Sequence, residues 1–220
     1  MPLSNPLSYA TAKAVYDRLG NRQDHQRYED PPVEAMIAHL ELETAETVVE
    51  FGCGTGRWAL EILEHSLPST ARYWGCDLSA TMVRLARERL ALHGDRATIV
   101  QTQGCPTFDL PNQSCDRLIS TYVLDLLSDK DIQTFLSEAK RMVRPGGRMG
   151  LVGISPGCSL ISALAMRIWQ WVHLLKPEIL GGCRPMQLGD WLDTDHWQII
   201  HYQQTAIYGI ASEVWVLEKR

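Results

Sequence analysis

The feature that most constrains this chain is a run of glycines directly after a short apolar segment. Residues 47–51 (TVVEF) are rich in β-branched side chains, which is typical of a buried strand. The sequence Gly52-Cys53-Gly54-Thr55-Gly56 follows, and a helical pattern begins at Arg57. Glycine tolerates positive φ and lets a ligand approach the backbone, while the helix N-terminus offers unpaired N–H groups. We therefore expect a strand–loop–helix unit that binds a cofactor.

Strands and helices alternate after this loop. Four further strands are predicted, at 71–76, 97–102, 117–120 and 148–154. Helices are expected at 57–64, 80–92 and 129–143. Two last strands, 198–205 and 213–217, have no helix between them and are expected to pair in antiparallel fashion. The pattern predicts an α/β fold with a doubly wound, Rossmann-like, seven-stranded sheet that is mostly parallel with an antiparallel last strand, plus helical lid segments.

The 220 residues suit a single domain, since domains typically take about 100–200 residues. Its predicted parts are an N-terminal helical cap (1–45), a cofactor-binding core (46–154), a helical insertion or lid (155–190) and closing strands (191–220). We expect the cap and the lid to pack together over the carboxyl ends of the parallel strands. Ligands of α/β sheets bind at that edge.

The composition and charge of the chain indicate which partners and which cellular location to expect. The formal net charge of −5 provides no broad basic field, so no nucleic-acid partner is expected. The six cysteines form no C-x-x-C pair and no zinc-like spacing with histidine, so no metal site is expected. Residues 1–16 lack the pattern of a signal peptide, and 160–175 is interrupted by polar residues, unlike a membrane span. We expect a cytoplasmic location.

Two cofactor types compete for the glycine loop. A dinucleotide prefers G-x-G-x-x-G, whereas this loop has G-x-G-x-G followed by Arg57. Glu50 lies two residues before the first glycine, and its charge repels a pyrophosphate but attracts an ammonium or a sulfonium. A nicotinamide-dependent oxidoreductase is therefore disfavoured. A tight glycine turn without any ligand is the remaining alternative.

The pattern Glu50-x-Gly52-x-Gly54-x-Gly56 resembles the first motif of the class I S-adenosylmethionine-dependent methyltransferases. The likeness covers about residues 46–154, including 110–122 and 142–148. Within the family it is closest to small bacterial methyltransferases of the ubiquinone/menaquinone-biosynthesis type. The resemblance implies S-adenosylmethionine as cofactor, S-adenosylhomocysteine as product, and a small acceptor of lipophilic character. A non-catalytic protein that binds either sulfur compound is an alternative.

The resemblance also implies roles for particular residues. Asp77, at the end of the second strand, is expected to accept the ribose hydroxyls, with helix capping as the alternative. Gln103 and Gly104 stand where the family commonly has an acidic residue that accepts from adenine. Tyr16 is the first candidate to cover the methionine end, and Tyr28 the second. The expected cofactor-binding residues are Tyr16, Glu50, Gly52, Cys53, Gly54, Gly56, Asp77, Leu78, Met82, Gln103, Gly104, Cys105, Thr121 and Tyr122.

The acceptor end is less determined by the sequence. Methyl transfer from a sulfonium is an in-line displacement, and a base is needed only where the acceptor loses a proton. The catalytic residue is therefore left unassigned, with Asp125, Tyr28, His25 and His173 as candidates. The substrate-binding candidates are Tyr122, Asp125, Trp169 and Arg184. Arg184 is expected at the pocket mouth, against an acidic group of the acceptor.

The segment 159–175 is apolar on most helical faces, so we expect little of it to contact water. The simplest interpretation is a lid helix that packs on the core. Two alternatives are an apolar wall for a lipophilic acceptor and a face that contacts a membrane peripherally.

Overall fold

A computed structural model describes residues 6–220; the first five residues, into which the predicted cap extends, lie outside the described part. Seven strands occur in the described chain: β1 Thr47–Phe51, β2 Arg72–Asp77, β3 Ala97–Gln101, β4 Cys115–Thr121, β5 Val143–Ile154, β6 Trp197–Ile207 and β7 Ile210–Lys219. Six α-helices accompany them: α1 Tyr9–Leu19, α2 Asp30–Ile37, α3 Arg57–His65, α4 Ala80–Arg89, α5 Asp129–Met142 and α6 Leu160–Leu175.

All seven strands form one sheet in the order β3-β2-β1-β4-β5-β7-β6. β1 to β5 are parallel, whereas β7 runs antiparallel to both of its neighbours, β5 and β6. The prediction of a doubly wound, mostly parallel sheet with an antiparallel last strand is confirmed. The strand order reverses at β1, which has β2 on one side and β4 on the other. This is the topological switch point at which α/β sheets bind ligands.

β1 shows how the sheet divides the core. Its successive side chains point to opposite faces. Val48 packs in one apolar cluster with Ile62 of α3, and Val49 packs in the other with Phe135 of α5. A strand that is covered on both faces needs a continuous apolar run, which explains why TVVEF does not alternate. The glycine loop is thereby held at the end of the most buried part of the sheet.

The N-terminal segment crosses the carboxyl edge of the sheet and is held there by aspartates. Asp17, near the end of α1, accepts hydrogen bonds from the Ser79 hydroxyl at 2.6 Å and from the Thr81 backbone N–H at 3.1 Å. Asp30, at the start of α2, pairs with Arg57 at 2.5 Å. These contacts join the cap to the N-terminal ends of α4 and α3, which both begin at that edge.

The solvent exposure of α6 differs from what the sequence predicts. Ser159 and Ser162 form a capping box that begins the helix one residue after the predicted start. Ser162, Met166 and His173 are buried, but the opposite face is open to solvent. The expectation that little of this helix contacts water is therefore wrong. One face of a helix suffices to anchor it on the sheet, and no second layer among residues 6–220 covers the other. None of the described helices has the length and hydropathy of a bilayer crossing.

Candidate active site

A cavity of about 430 Å³ lies at the carboxyl ends of β1, β2 and β4. This volume is within the range of small-molecule and cofactor sites. Its walls come from the glycine loop, the ends of β2 and β4, the N-terminal cap, and α6 with the segment that follows it. The predicted convergence of cap and lid over the sheet edge is therefore present in the geometry.

The glycine loop has the backbone conformation that its composition predicts. Gly52, Gly54 and Gly56 have φ values of 81°, 54° and 73°, all in the left-handed region. A Cβ on Gly52 would lie 2.2 Å from Val123 Cγ2, so this position excludes any side chain. The backbone N–H groups of Gly52 and Cys53 both donate to the Cys76 carbonyl. The loop is thus fixed to β2 while its open side faces the cavity.

Asp77 joins the loop to the end of β2. One carboxylate oxygen accepts the Ser79 N–H at 2.8 Å, and the other accepts the Gly54 N–H at 3.0 Å. Ser79 itself caps α4, so Asp77 is not needed as the N-cap. Burial raises the pKa of Asp77 to about 6. Asp77 lines the cavity, and a carboxylate has about four lone-pair sites, so acceptor capacity remains for a ligand.

Glu50 is the second carboxylate at this end of the cavity. It is buried at the end of β1 and accepts a hydrogen bond from the Tyr73 hydroxyl at 2.5 Å. Burial raises the pKa of Glu50 to about 7, because the charged form is poorly solvated there. A cationic ligand would supply the missing stabilisation of that charge. The two carboxylates make this end of the cavity complementary to a positive group.

The segment after β3 differs from the prediction that Gln103, Gly104 and Cys105 all bind the cofactor. Thr102 and Gly104 line the cavity, whereas Gln103 and the exposed Cys105 do not. The ring of Tyr9 covers Gly104, since a Cβ there would lie 2.6 Å from Tyr9 Cγ. The local sequence gave no indication of Tyr9, which comes from α1, far away in the chain.

Most of the predicted cofactor residues meet at the cavity. Those that line it are Tyr16, Glu50, Gly52, Cys53, Gly54, Asp77, Leu78, Met82, Gly104, Thr121 and Tyr122. Gly56, Gln103 and Cys105 are outside the lining. A Cβ on Gly56 would lie 3.1 Å from Ala86 of α4, so this glycine allows two helices to approach closely.

Aromatic side chains form the other end of the cavity. Tyr28 and Tyr122 meet edge to face with ring centroids 5.9 Å apart. Trp169 of α6 donates through Nε1 to the Cys183 carbonyl at 2.8 Å, which fixes its ring against the wall. Tyr16 and Cys183 line the same region. This end offers flat apolar surfaces, with Glu29 as the ionisable carboxyl group beside them.

Glu29 is a lining residue that the sequence analysis missed. Its carboxylate is 8% exposed and accepts hydrogen bonds from Gln23 Nε2 at 3.2 and 3.4 Å. Burial raises the pKa of Glu29 to about 8. Within residues 6–220 it forms no salt bridge. The sequence indicates Glu29 only through its position directly after Tyr28, the second candidate to cover the methionine end.

The predicted base candidates occupy unequal positions. Tyr28 lines the cavity and donates to Gln26 Oε1 at 3.1 Å, but burial raises the pKa of its phenol, which stays protonated. His25 is exposed and outside the lining. Asp125 is fully buried beneath the lining, where it accepts the Ile154 N–H and burial raises its pKa to about 7. His173 contacts the Gly182 carbonyl and is also outside the lining.

The placement of Arg184 at the pocket mouth is wrong. Its side chain is 3% exposed and outside the cavity lining. It donates to the Leu127 carbonyl at 2.7 Å and to Asp129 at 3.1 Å. A buried backbone carbonyl needs a donor, and the guanidinium supplies it, so Arg184 supports the turn between β4 and α5.

Comparison with known proteins agrees with this geometry. Residues 48–147 match the sequence model of a family described as "Methyltransferase domain". The chain is 30% identical over 142 residues to a malonyl-[acyl-carrier protein] O-methyltransferase of Hahella chejuensis, covering 64% of this chain and 46% of that protein. It is 26% identical over 122 residues to the tRNA N(3)-methylcytidine methyltransferase Mettl2 of Drosophila melanogaster, covering 54% and 38%. The chain thus spans less than half the length of these two relatives.

A solved structure supports the fold. The S-adenosylmethionine-dependent methyltransferase of Methanosarcina mazei superimposes with a TM-score of 0.65 at 16% identity, covering 83% of this chain and 96% of that one. Fold and glycine loop define a Rossmann-like domain with a cavity at its switch point. The matched core, residues 48–147, is a methyltransferase domain of the S-adenosylmethionine-dependent type.

Proposed function

We propose that this chain transfers a methyl group from S-adenosylmethionine to a small lipophilic acceptor. The observation that carries the proposal is the division of one cavity into two chemically different ends. Glu50 and Asp77 lie at the end beside the glycine loop, and Tyr28, Tyr122 and Trp169 lie at the other. The first end suits a cationic cofactor with hydroxyl groups, and the second suits an apolar acceptor.

The residues present fit the cofactor. Asp77 retains acceptor capacity for the ribose hydroxyls, and Glu50 offers a counter-charge to the cationic part. The backbone at Gly54, where a Cβ would meet no atom within 4 Å, leaves room for close approach of the ligand. When bound, S-adenosylmethionine supplies an electrophilic methyl group on a sulfonium. The task of the protein is then to align the acceptor and to exclude water.

The cap and α6 provide that exclusion. Tyr16, from the cap, and Trp169, from α6, cover the cavity from two sides. For an acceptor that loses a proton, Glu29 is the lining group placed to receive it. With a pKa of about 8, the ionised fraction of Glu29 is a stronger base than an ordinary carboxylate, and this fraction grows as pH rises towards 8. Tyr122, at the end of β4, positions the acceptor beside the cofactor end.

The relatives act on carrier-bound and tRNA acceptors by name, but the charge of this chain favours a different class. Arg57 is the one basic residue of the described lining, and it is already paired with Asp30. With a net charge of −5, the chain offers no broad field for polyanions. We therefore propose a small acceptor without an acidic group.

Calorimetry and turnover together test the proposal. We expect S-adenosylmethionine and S-adenosylhomocysteine to bind, and NAD not to bind. Turnover of the cofactor is then measured with quinols, phenols and amines of graded lipophilicity, and with bulk tRNA and acyl-carrier protein as macromolecular acceptors. Methylation of tRNA alone would contradict the acceptor class. Binding without turnover of any acceptor would favour a non-catalytic binding protein.

A further inference from the structure

The outer face of α6 concentrates exposed apolar side chains. Eight large ones between residues 160 and 179 are each 59–91% exposed: Leu160, Ile161, Leu164, Ile168, Trp171, Leu174, Leu175 and Ile179. Five other large apolar side chains in residues 6–220 are exposed, three of them only to 36–47%, and they are distributed over α1, the segment after α4 and the β6–β7 hairpin. An apolar patch of this extent marks an interaction site rather than ordinary surface.

The helical spacing gathers these side chains into one stripe. Leu160, Leu164, Ile168, Trp171 and Leu175 recur at intervals of three and four residues, so they share one face. We call this stripe, together with Ile161, Leu174 and Ile179, the α6 outer face. It is continuous over the whole length of the helix.

The opposite face of α6 fixes the orientation of the stripe. The Met166 sulfur accepts the Ala211 N–H at 3.4 Å. Trp169 donates to the Cys183 carbonyl, and His173 Nε2 lies 2.9 Å from the Gly182 carbonyl. The helix is therefore anchored on β7 and on its own following segment. Its apolar stripe points away from the sheet as a consequence.

Charge distinguishes between the candidate partners of this face. α6 contains no acidic residue, and Arg167 and Lys176 are exposed beside the stripe, in a chain whose net charge is −5. Glu178, the nearest acidic residue after the helix, is exposed and also lines the cavity. Two copies packed stripe to stripe would bring like charges together. An apolar stripe with tryptophan and flanking cations instead suits the surface of an anionic bilayer.

The α6 outer face also borders the cavity. Ile179 is 68% exposed and lines the cavity together with Leu180. Trp169, on the inner side of the same helix, forms part of the cavity wall. One helix thus separates the cavity from the apolar surface, and Ile179, in the segment that follows the helix, belongs to both.

We propose that the α6 outer face binds the surface of a bilayer that contains anionic phospholipid, with the helix lying in the interfacial plane. Leu164, Ile168 and Trp171 insert into the acyl boundary, and Arg167 and Lys176 contact the headgroups. The acceptor is then a membrane-dissolved compound that enters beside Ile179. This last step rests on the proposed methyl transfer, whereas the membrane contact does not.

Vesicle flotation tests the contact. We expect the full chain to float with vesicles of phosphatidylglycerol and phosphatidylcholine in equal amounts, and much less with phosphatidylcholine alone. Ile168→Glu/Trp171→Glu is expected to lower the vesicle partition coefficient about tenfold or more. Leu92→Glu is the matched control, because Leu92 is 97% exposed at the opposite edge of the sheet. Arg167→Glu/Lys176→Glu is expected to abolish the preference for anionic lipid.

Cofactor affinity and oligomeric state are measured on the same proteins without vesicles. Unchanged S-adenosylmethionine affinity shows that the variants are folded, and it tests the cofactor site separately from the membrane contact. Absence of flotation of the wild type would overturn the proposal, as would equal flotation of the Ile168→Glu/Trp171→Glu variant. A dimer that this variant dissociates, with no vesicle binding, would make the face an interface between copies. Equal binding to neutral vesicles would overturn the anionic assignment.

Discussion

The Asp77 carboxylate accepts the backbone N–H of Gly54 at 3.0 Å, and this bond joins the ends of two neighbouring strands. Gly54 belongs to the loop after β1, and Asp77 ends β2. Two positions 23 residues apart in sequence therefore form one surface of the cavity. The loop sets the position of the carboxylate, and the carboxylate restrains the loop.

Asp77→Asn is expected to weaken S-adenosylmethionine binding by about 1–3 kcal/mol, because charged hydrogen bonds to the ribose hydroxyls are lost. Calorimetry measures the affinity, and circular dichroism checks the fold. Asp95→Asn is the control, because Asp95 is an exposed carboxylate outside the cavity lining. An affinity equal to that of the control would place the ribose elsewhere.

Gly52→Ala is expected to abolish measurable cofactor binding. The new Cβ would lie 2.2 Å from Val123 Cγ2, on a backbone with φ of 81°. Gly54→Ala meets no protein atom within 4 Å and has φ of 54°, so its cost to folding stability is limited to backbone strain of about 1–2 kcal/mol. Urea unfolding and calorimetry compare the two variants. Adding Val123→Ala should restore part of the Gly52→Ala loss, and no restoration would show that sterics are not the cause.

Asp24 provides a test of the cap. Its carboxylate accepts from the Thr55 hydroxyl at 2.5 Å and from Arg89 at 2.6 Å. Burial opposes ionisation, but these hydrogen bonds prevail and lower the pKa of Asp24. Asp24→Asn is expected to cost about 1 kcal/mol of stability above the usual aspartate pKa, and the difference disappears as pH falls through the lowered value.

Hydrogen exchange shows which part of the chain becomes less stable in the Asp24→Asn variant. Faster exchange is expected in residues 20–29, together with weaker cofactor binding, since this segment covers the cavity. Glu88→Gln is the matched control, because it breaks an exposed ion pair with Arg84 on α4, the helix that also carries Arg89. Exchange that is unchanged relative to Glu88→Gln would mean that other contacts hold the cap.

The sheet and the loop were predictable because their determinants are local. TVVEF followed by three glycines specifies a buried strand and a left-handed turn without reference to the rest of the chain. Asp77 was predictable for a related reason, since it follows the next strand, and neighbouring parallel strands end at the same edge.

The remaining site depends on contacts that periodicity does not encode. Glu29 faces the cavity because the cap folds back over the sheet, and Arg184 turns inward because buried carbonyls near β4 need a donor. The apolar sequence of α6 predicted burial, but the described fold covers one face of the helix. Composition identifies an apolar surface, whereas tertiary structure decides whether anything in the chain covers it.

Glu29→Gln gives the clearest pH dependence. The pKa of Glu29 is about 8 in the folded chain, above its usual 4.5, because burial disfavours the charge. Between these values the folded chain holds a proton that the unfolded chain has released, so stability falls as pH rises. Glutamine does not ionise, so the stability of the variant does not fall in this way as pH rises. Near pH 5 the two proteins should unfold alike, and above about pH 8 the variant should be more stable, on the order of a few kcal/mol.

Urea unfolding without ligand, at both ends of this pH range, measures the difference between wild type and Glu29→Gln. A buried carboxylate with a raised pKa that is not coupled to Glu29, such as Glu50, is present in both proteins and cancels in the comparison. Glu178→Gln is the matched control, because Glu178 lines the cavity but is exposed. A stability difference that does not change with pH would mean that Glu29 ionises normally and is not the strengthened base that the proposed function assigns to it.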